Sequence, residues 1–209
     1  QSENSVAAIF ASSLEKLQQK KLYGYLVHHF EFYQSHPQLW EKMKDLKAEG
    51  KIDKIGFSLY NTDQLQYLLD NEVVFDVLQF PYNLFDRQFD TYLLYLKQCG
   101  VEIHTRSVFL QGLFFKNVRK LTDKLLPMKK YLEKLHEYCG ISGISMEQLA
   151  LNYVVSHPNI DGVLIGVDNC QQLQANVDAL QNGLRQEDID FISSINVSEK
   201  ELLNPVNWK

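Results

Sequence analysis

Four short apolar segments of the sequence each end in a side chain that can donate a hydrogen bond: His28, Ser58, Gln79 and Arg106. If the segments are parallel strands, their carboxyl ends lie at one edge of the sheet, where barrel enzymes carry their binding and catalytic residues. The ends of strands are often half exposed and polar, so one such residue alone says little about function. Four of them together favour a convergent polar site.

The elements that must position these side chains follow an alternating pattern along the chain. Short β-rich segments each precede ten or more residues of helical periodicity, which is the pattern of βα units. The predicted strands are residues 22–28, 54–58, 75–79, 101–106 and 162–165. The predicted helices are residues 5–19, 35–50, 62–70, 88–99, 124–138, 145–156 and 186–195, with a further helix from Cys170.

Alternating strands and helices imply a parallel sheet, because each crossover helix returns the chain to the same end of the sheet. A doubly wound nucleotide-binding fold predicts a glycine-rich fingerprint after the first strand, and the sequence has neither GxGxxG nor a Walker motif. A (β/α)₈ TIM barrel is therefore preferred. Since eight units take about 250 residues, the 209 residues are expected to form a single domain, an incomplete barrel of about five βα units plus a C-terminal helix.

Composition and charge exclude several classes of protein. The chain is 45% hydrophobic, enough to bury a core, and its net charge of −5 with scattered basic residues argues against a nucleic-acid partner. No apolar stretch approaches the ~20 residues needed to cross a bilayer, so no membrane interaction is expected. Cys99, Cys139 and Cys170 are too widely spaced for a disulfide framework or a zinc motif. The predictions are no metal and a reducing, cytoplasmic location.

Five segments, in order and spacing, carry a resemblance to a known family. They read YLVH (25–28), KIGFSLYN (54–61), FDVLQFPYNLFDR (75–87), RSVFLQGLF (106–114) and IGVDNCQQLQANVDAL (165–180). This combination resembles the aldo-keto reductases, which are nicotinamide-dependent carbonyl reductases built on a (β/α)₈ barrel. The resemblance extends from about Val6 to Ile195.

The resemblance implies a reaction and a role for each polar strand end. The family reduces an aldehyde or ketone with NAD(P)H, so the expected partner is a small carbonyl substrate. His28 matches the catalytic histidine that polarises the carbonyl group. Ser58 and Gln79 match residues that hydrogen-bond the nicotinamide carboxamide, although Leu59 replaces an asparagine usual after that serine. Arg106 stands where a tyrosine often stacks on the ring, and pairing with Glu102 or with a phosphate are open alternatives.

Other matched positions belong to the far end of the cofactor. Ser107 begins a loop, ending at Gly112, that resembles the segment passing the pyrophosphate, and the helix after Gly166 resembles the one that receives adenosine. Gln172 and Asn176 match polar positions beside adenine. Asp168 departs from the family, because a carboxylate repels a 2′-phosphate but can accept a hydrogen bond from a 2′-hydroxyl. That favours NAD over NADP.

The family's catalytic aspartate, tyrosine and lysine have no counterpart in this sequence, since the first three strands of the barrel are not matched. We therefore expect the 209-residue chain alone not to reduce carbonyl compounds. Three classes stay open: a reductase with a further segment, a nicotinamide-binding regulatory protein, and an inactive fragment. Open strand edges would favour self-association. The remaining aromatic residues are interpreted as core packing; they are Tyr92, Tyr95, Phe114, Phe115 and Tyr131.

Overall fold

A computed structural model describes residues 4–208 of the chain. The strands are β1 (Leu22–Val27), β2 (Ile52–Ser58), β3 (Val77–Pro81), β4 (Glu102–Arg106) and β5 (Gly162–Val163). The helices are α1 (Asn4–Leu17), α2 (Phe30–Ser35), α3 (Gln38–Ala48), α4 (Thr62–Asp70), α5 (Asp90–Gln98), α6 (Lys129–Ser142), α7 (Met146–Val155), α8 (Cys170–Ala179) and α9 (Gln186–Ser194). The 3-10 helices are Leu113–Phe115, Val118–Lys120, Asp123–Met128, Lys200–Leu203 and Pro205–Trp208. None of the helices in residues 4–208 has the length and apolar character needed to cross a bilayer.

The five strands form a sheet in the order β1-β2-β3-β4-β5, so the predicted α/β organisation is confirmed. Strand pairing is parallel where the register is defined, between β1 and β2, β2 and β3, and β4 and β5. The chain divides into two compact units. The first comprises residues up to Phe80 with Leu94–Ile103, and the second comprises Pro81–Leu93 with the residues from His104 onward.

The core of the first unit is built around Phe57, a fully buried residue of β2. The indole of Trp40 stacks on its ring with centroids 4.5 Å apart, and the ring of Tyr33 meets it edge-on at 4.9 Å. Successive side chains of a strand point to opposite faces. Because Phe57 faces these helical residues, Gly56 and Ser58 face the other side of the sheet.

Gly56 lets β2 and β3 approach each other closely. It is the register partner of Val77, and a Cβ atom added at Gly56 would lie 1.7 Å from the Val77 carbonyl oxygen. No side chain fits in that space. Two residues further along, the same pairing brings Ser58 opposite Gln79.

The second unit contains a buried charge network at the start of α9. The Asp188 carboxylate is completely buried and accepts hydrogen bonds from the Arg185 guanidinium at 2.9 Å and the Tyr138 hydroxyl at 2.6 Å. It also accepts from the Arg185 backbone N–H at 2.8 Å. Chiefly through the Arg185 side chain, these bonds lower the pKa of Asp188 from 3.8 to about 2.

Several predicted boundaries differ from the structure. The predicted helix 35–50 is found as α3 (Gln38–Ala48), which begins directly after Pro37, while α2 (Phe30–Ser35) was not predicted. The predicted helix 62–70 is found as α4, and Asn61 caps it, because its side chain accepts a hydrogen bond from the Gln64 N–H. The predicted helix 124–138 begins as a 3-10 helix containing Pro127 and becomes α-helical only at Lys129.

We expect Gly56→Ala to lower the free energy of unfolding by about 3 kcal/mol, because the added methyl group must push β3 away from β2. Gly24 in β1 is the matched control, since a Cβ atom there meets nothing within 4 Å. Gly24→Ala should change stability by less than about 1 kcal/mol. Chemical denaturation of both variants measures the difference, and equal stabilities would refute the close approach.

The lowered pKa of Asp188 implies that the stability of the fold depends on pH. Its pKa is depressed in the folded state, so its stabilisation is complete above the unfolded pKa of 3.8 and is lost as the pH falls toward about 2. Asp188→Asn should therefore be about 2 kcal/mol less stable than the native chain at neutral pH, and the deficit should shrink below about pH 4. Asp190→Asn, an exposed change on the same helix, should show no such trend.

Candidate functional site

The first unit brings together Ser58, the last residue of β2, and Gln79, which lies in the middle of β3 because that strand continues to Pro81 and does not end at Gln79 as predicted. Ser58 is 3% exposed, and its hydroxyl donates to the side-chain oxygen of Gln79 over 3.4 Å. A hydroxyl has one proton, so Ser58 keeps lone pairs as acceptors while the Gln79 amide keeps its NH₂ donors. An acceptor beside a donor is complementary to a carboxamide, which presents one NH₂ and one carbonyl oxygen.

His28 lies at the carboxyl end of β1, next to the strand that carries Ser58. One residue earlier in each strand, Val27 of β1 is paired with Phe57 of β2. The imidazole of His28 is exposed, with the ring of His29 at 5.0 Å and the ring of Tyr60 at 6.4 Å between centroids. His28 is thus accessible to a small molecule.

Leu59 does not take part in this polar group. Its side chain is completely buried, while its backbone N–H donates to the Gln79 carbonyl over 2.7 Å. The position where the family usually has an asparagine therefore contributes packing and a backbone hydrogen bond between β2 and β3.

A second polar group of the first unit, Tyr23, Lys54 and Glu102, was not found from the sequence. The Tyr23 hydroxyl donates to the Glu102 carboxylate at 2.6 Å, and the same carboxylate pairs with the Lys54 ammonium. The hydrogen bond to Glu102 raises the pKa of Tyr23, which makes it a weaker acid. Tyr23 precedes His28 by five residues of extended chain, or about 16 Å. The group therefore lies near the amino ends of the strands, away from His28.

The second unit contains a cavity of about 870 Å³. Six predicted residues line it, and they come from two separate segments of the chain: Arg106 and Ser107 from one, and Gly166, Asp168, Gln172 and Asn176 from the other. Its size lies within the range of ligand pockets, which is roughly 300–1,000 Å³. That Arg106 shares one rim with His28, Ser58 and Gln79 stays a prediction.

One wall of the cavity is a loop with an unusual backbone. Ser107, Leu110, Gln111 and Gly112 all have positive φ angles, of 62°, 46°, 48° and 75°. A residue with a side chain loses about 1–2 kcal/mol in this left-handed conformation. Such strain persists where the surroundings enforce it, often at ligand sites, and consecutive amides in such turns form concavities that bind anions.

Asn83 holds the start of this loop in place. Its completely buried side chain donates from Nδ2 to the Ser107 carbonyl at 3.1 Å. The amide oxygen of Asn83 accepts from the backbone N–H groups of Phe85 and Asp86, at 2.9 and 3.0 Å. One amide therefore links the segment after β3 to the cavity wall.

The opposite segment of the wall is the turn that begins α8. The Asn169 side chain caps the helix by accepting from the Gln172 N–H at 2.9 Å. The Gln172 side-chain oxygen in turn accepts from the Asp168 N–H at 2.7 Å. These two hydrogen bonds fix the backbone between Asp168 and Gln172.

Two cationic side chains of the second unit lie close enough to Asp86 to affect its pKa. This carboxyl is 2% exposed, and burial raises its pKa from 3.8 to about 6 even though Gln88 donates hydrogen bonds to it. The cationic side chains of Arg106 and Lys200 act in the opposite direction and lower that pKa. Arg106 also reaches the Ser107 hydroxyl, with 3.5 Å between Nη1 and Oγ.

Some cavity residues were missed or misjudged from the sequence. Phe115 was interpreted as core, which is wrong: it is 46% exposed and lines the cavity. Tyr95, at 51% exposed, is also not core, whereas Phe114 and Tyr131 are buried as predicted. No local signal separated Phe115 from Phe114, because the neighbours Leu113 and Phe114 of the same short helix are both fully buried. Glu147 had none, because it comes from α7, outside the matched segments.

Within residues 4–208, His, Cys, Asp and Glu side chains form no group of three or more that could hold a metal ion. The thiols of Cys99 and Cys170 are exposed and that of Cys139 is half-buried, and all are reduced. Burial raises the pKa of Cys139 to about 11, which keeps this thiol protonated at neutral pH.

Comparison with known proteins identifies the group to which this architecture belongs. A model of the aldo/keto reductase family matches residues 1–197. The chain belongs to this family. The match spans both the polar strand ends and the cavity, so the resemblance inferred from five short segments is confirmed.

The curated relatives of this aldo/keto reductase chain are oxidoreductases by name. It is 25% identical over 210 residues to an NADH-specific methylglyoxal reductase of Escherichia coli, covering 90% of this chain and 63% of that protein. It is 26% identical over 210 residues to a glyoxal reductase of Bacillus subtilis, covering 98% and 68%. An L-galactose dehydrogenase of Arabidopsis thaliana is 27% identical over 174 residues, covering 78% and 54%. The chain thus spans about half to two thirds of these relatives.

Solved structures confirm the fold class. An aldo-keto reductase from Bacillus halodurans in its apo form superposes with a TM-score of 0.74 at 20% identity, covering 95% of this chain and 72% of that one. The holo form gives a TM-score of 0.71, covering 95% and 70%. At this identity the likeness establishes the α/β barrel type of fold and leaves the activity to be argued from the residues.

Because residues 111 and 112 of the loop have positive φ angles, adding a side chain at Gly112 and removing one at Gln111 should have opposite effects on stability. Gly112→Ala should cost about 1–2 kcal/mol, because the methyl group meets no atom within 4 Å but φ is 75°. Gln111→Gly should leave stability unchanged or raise it by up to about 1 kcal/mol, since glycine adopts this conformation freely. Thermal unfolding of both variants tests this.

Gly166→Ala provides the control, because that glycine also lines the cavity and its φ angle is not positive. It should unfold within about 0.5 kcal/mol of the native chain. An effect equal to that of Gly112→Ala would mean that the loop strain is not the cause.

Proposed function

We propose that this chain carries the cofactor-binding part of an NAD(P)H-dependent reductase that reduces an aldehyde or ketone by hydride transfer. The observation that carries the proposal is the cavity of about 870 Å³, because six residues that the family resemblance assigns to cofactor binding line it together. Family membership supports the reaction type, and the reductases named above support a carbonyl substrate.

The residues fit the cofactor in chemical type. Arg106 is a cation suited to the pyrophosphate, and the amides of the left-handed loop are suited to anionic oxygens. Ser58 and Gln79 form the acceptor and donor pair that a carboxamide requires. When bound, NAD(P)H would supply the hydride. Fixing the carboxamide determines which face of the nicotinamide ring is presented.

His28 is the residue proposed to act on the substrate. A hydrogen bond from its imidazole to the carbonyl oxygen strengthens as negative charge develops there, so it stabilises the transition state more than the ground state. The exposed position of His28 at the end of β1 allows this contact.

A proton donor for the developing alkoxide is the remaining requirement. Tyr23 has a lysine and a carboxylate beside it, but the hydrogen bond to Glu102 raises its pKa and it lies at the other end of β1 from His28. General acid catalysis typically contributes about 10²–10⁴-fold. We therefore expect the 209-residue chain alone to bind nucleotide without appreciable turnover.

The proposed substrates are small aldehydes and ketones, and methylglyoxal and glyoxal are the first to test because relatives are named for them. Oxidation of reduced nicotinamide would be followed by absorbance with the 209-residue chain. The comparison is a chimaera preceded by a segment that supplies the family's aspartate, tyrosine and lysine. Turnover by the chimaera alone, reduced at least about tenfold by His28→Ala, is the expected result.

Other outcomes of this experiment decide between the alternatives. Equal turnover by the two proteins, abolished by His28→Ala, would mean that this chain contains its own catalytic acid. Nucleotide binding without turnover in either protein would favour a regulatory role. His36→Ala, which replaces a half-buried histidine stacked on Phe32, is the control for His28→Ala and should have no effect on turnover.

A further inference from the structure

The charges around the cavity are unevenly distributed among its segments. Among the described residues that line it, Arg106 is the cation, and it comes from the end of β4. The two carboxylates of the lining are Asp168, just before α8, and Glu147 in the first turn of α7. The α7 and α8 segments therefore bring negative charge and no basic side chain to the wall.

The turn before α8 also uses its own backbone donors. Helix N-termini bind phosphates because their first N–H groups have no partner within the helix. Here the N–H of Gln172 is taken by Asn169, and the N–H of Asp168 is taken by the Gln172 side chain. Two donors that could hold a phosphate at this turn are thus occupied within the chain, while the Asp168 carboxylate stays exposed.

We infer that the segment of the cavity formed by Asp168 and Gln172 receives a ribose with a free 2′-hydroxyl and rejects one with a 2′-phosphate. Asp168 is the specificity-determining residue, and Glu147 adds to the same field. The cofactor selected is then NAD(H) rather than NADP(H). This inference rests on the proposed function, because it names which of two nicotinamide cofactors the same cavity takes.

The physical reason is a difference in charge between the two ligands. A ribose hydroxyl can donate a hydrogen bond to a carboxylate, whereas a phosphate ester brings additional negative charge to the same place. Since Asp168 is exposed and solvent screens its charge, the expected preference for the hydroxyl is on the order of tenfold. It should decrease as salt is added.

The test uses fragments that contain the adenosine end and no nicotinamide, so that it does not depend on catalysis. Adenosine 5′-phosphate and adenosine 2′,5′-bisphosphate are titrated separately into the full 209-residue chain by calorimetry. The expected result is that the monophosphate binds on the order of tenfold more tightly. Asp168→Asn should remove most of this discrimination, chiefly by tightening the binding of the bisphosphate, and Glu147→Gln should act in the same direction with a smaller effect.

Asp178→Asn is the matched control. Asp178 lies on α8, the helix that follows Asp168, its change removes the same charge, and it pairs with Gln174 away from the cavity lining. It should leave the ratio of the two affinities unchanged. An equal effect of Asp178→Asn and Asp168→Asn would refute a specific role for Asp168.

The failures of the two proposals are distinguishable. If the native chain binds the bisphosphate as tightly as the monophosphate or more tightly, the inference about Asp168 is overturned while the cofactor cavity stands. If neither compound binds, and NAD(H) and NADP(H) do not bind either, the cavity is not a nucleotide site and both proposals are overturned.

Discussion

The pairing of Ser58 with Gln79 depends on how closely β2 and β3 can approach. Only glycine fits at position 56, because the Cβ atom of any other residue would overlap the Val77 carbonyl of β3. Two residues beyond the contact, Ser58 and Gln79 face each other and share a hydrogen bond. A glycine that takes part in no chemistry thus determines whether an acceptor and a donor meet at the correct spacing.

The second unit achieves a similar result with side chains. The amide of Asn83 fixes the carbonyl of Ser107. The side chains of Asn169 and Gln172, which accept from the Gln172 N–H and the Asp168 N–H, fix the turn before α8. In both places polar side chains bond to backbone groups: Asn83 reaches a neighbouring segment of the chain, and Asn169 and Gln172 reach groups a few residues away. Because both are satisfied within the protein, the cavity wall has a defined shape before any ligand arrives.

Sequence reasoning succeeded where a local pattern determines the outcome. The alternation of strands and helices, and the polar residues at or just after the ends of β1, β2 and β4, follow from periodicity and turn residues, whereas β3 continues past Gln79 to Pro81. It failed where distant packing decides: of the three residues of the short helix Leu113–Phe115 only Phe115 is exposed, and Glu147 reaches the cavity from a helix outside the matched motifs. The association of Tyr23 with Glu102, 79 residues away, likewise follows from strand neighbours and has no local signal.

The left-handed loop has a consequence for the thermodynamics of recognition. A loop of ordinary conformation samples many shapes, and a ligand must then offset the entropy lost when one shape is selected. Between Ser107 and Gly112 that selection has already taken place during folding, at the expense of backbone strain. Association with this wall should therefore carry a small entropic penalty and proceed without a slow rearrangement of the loop.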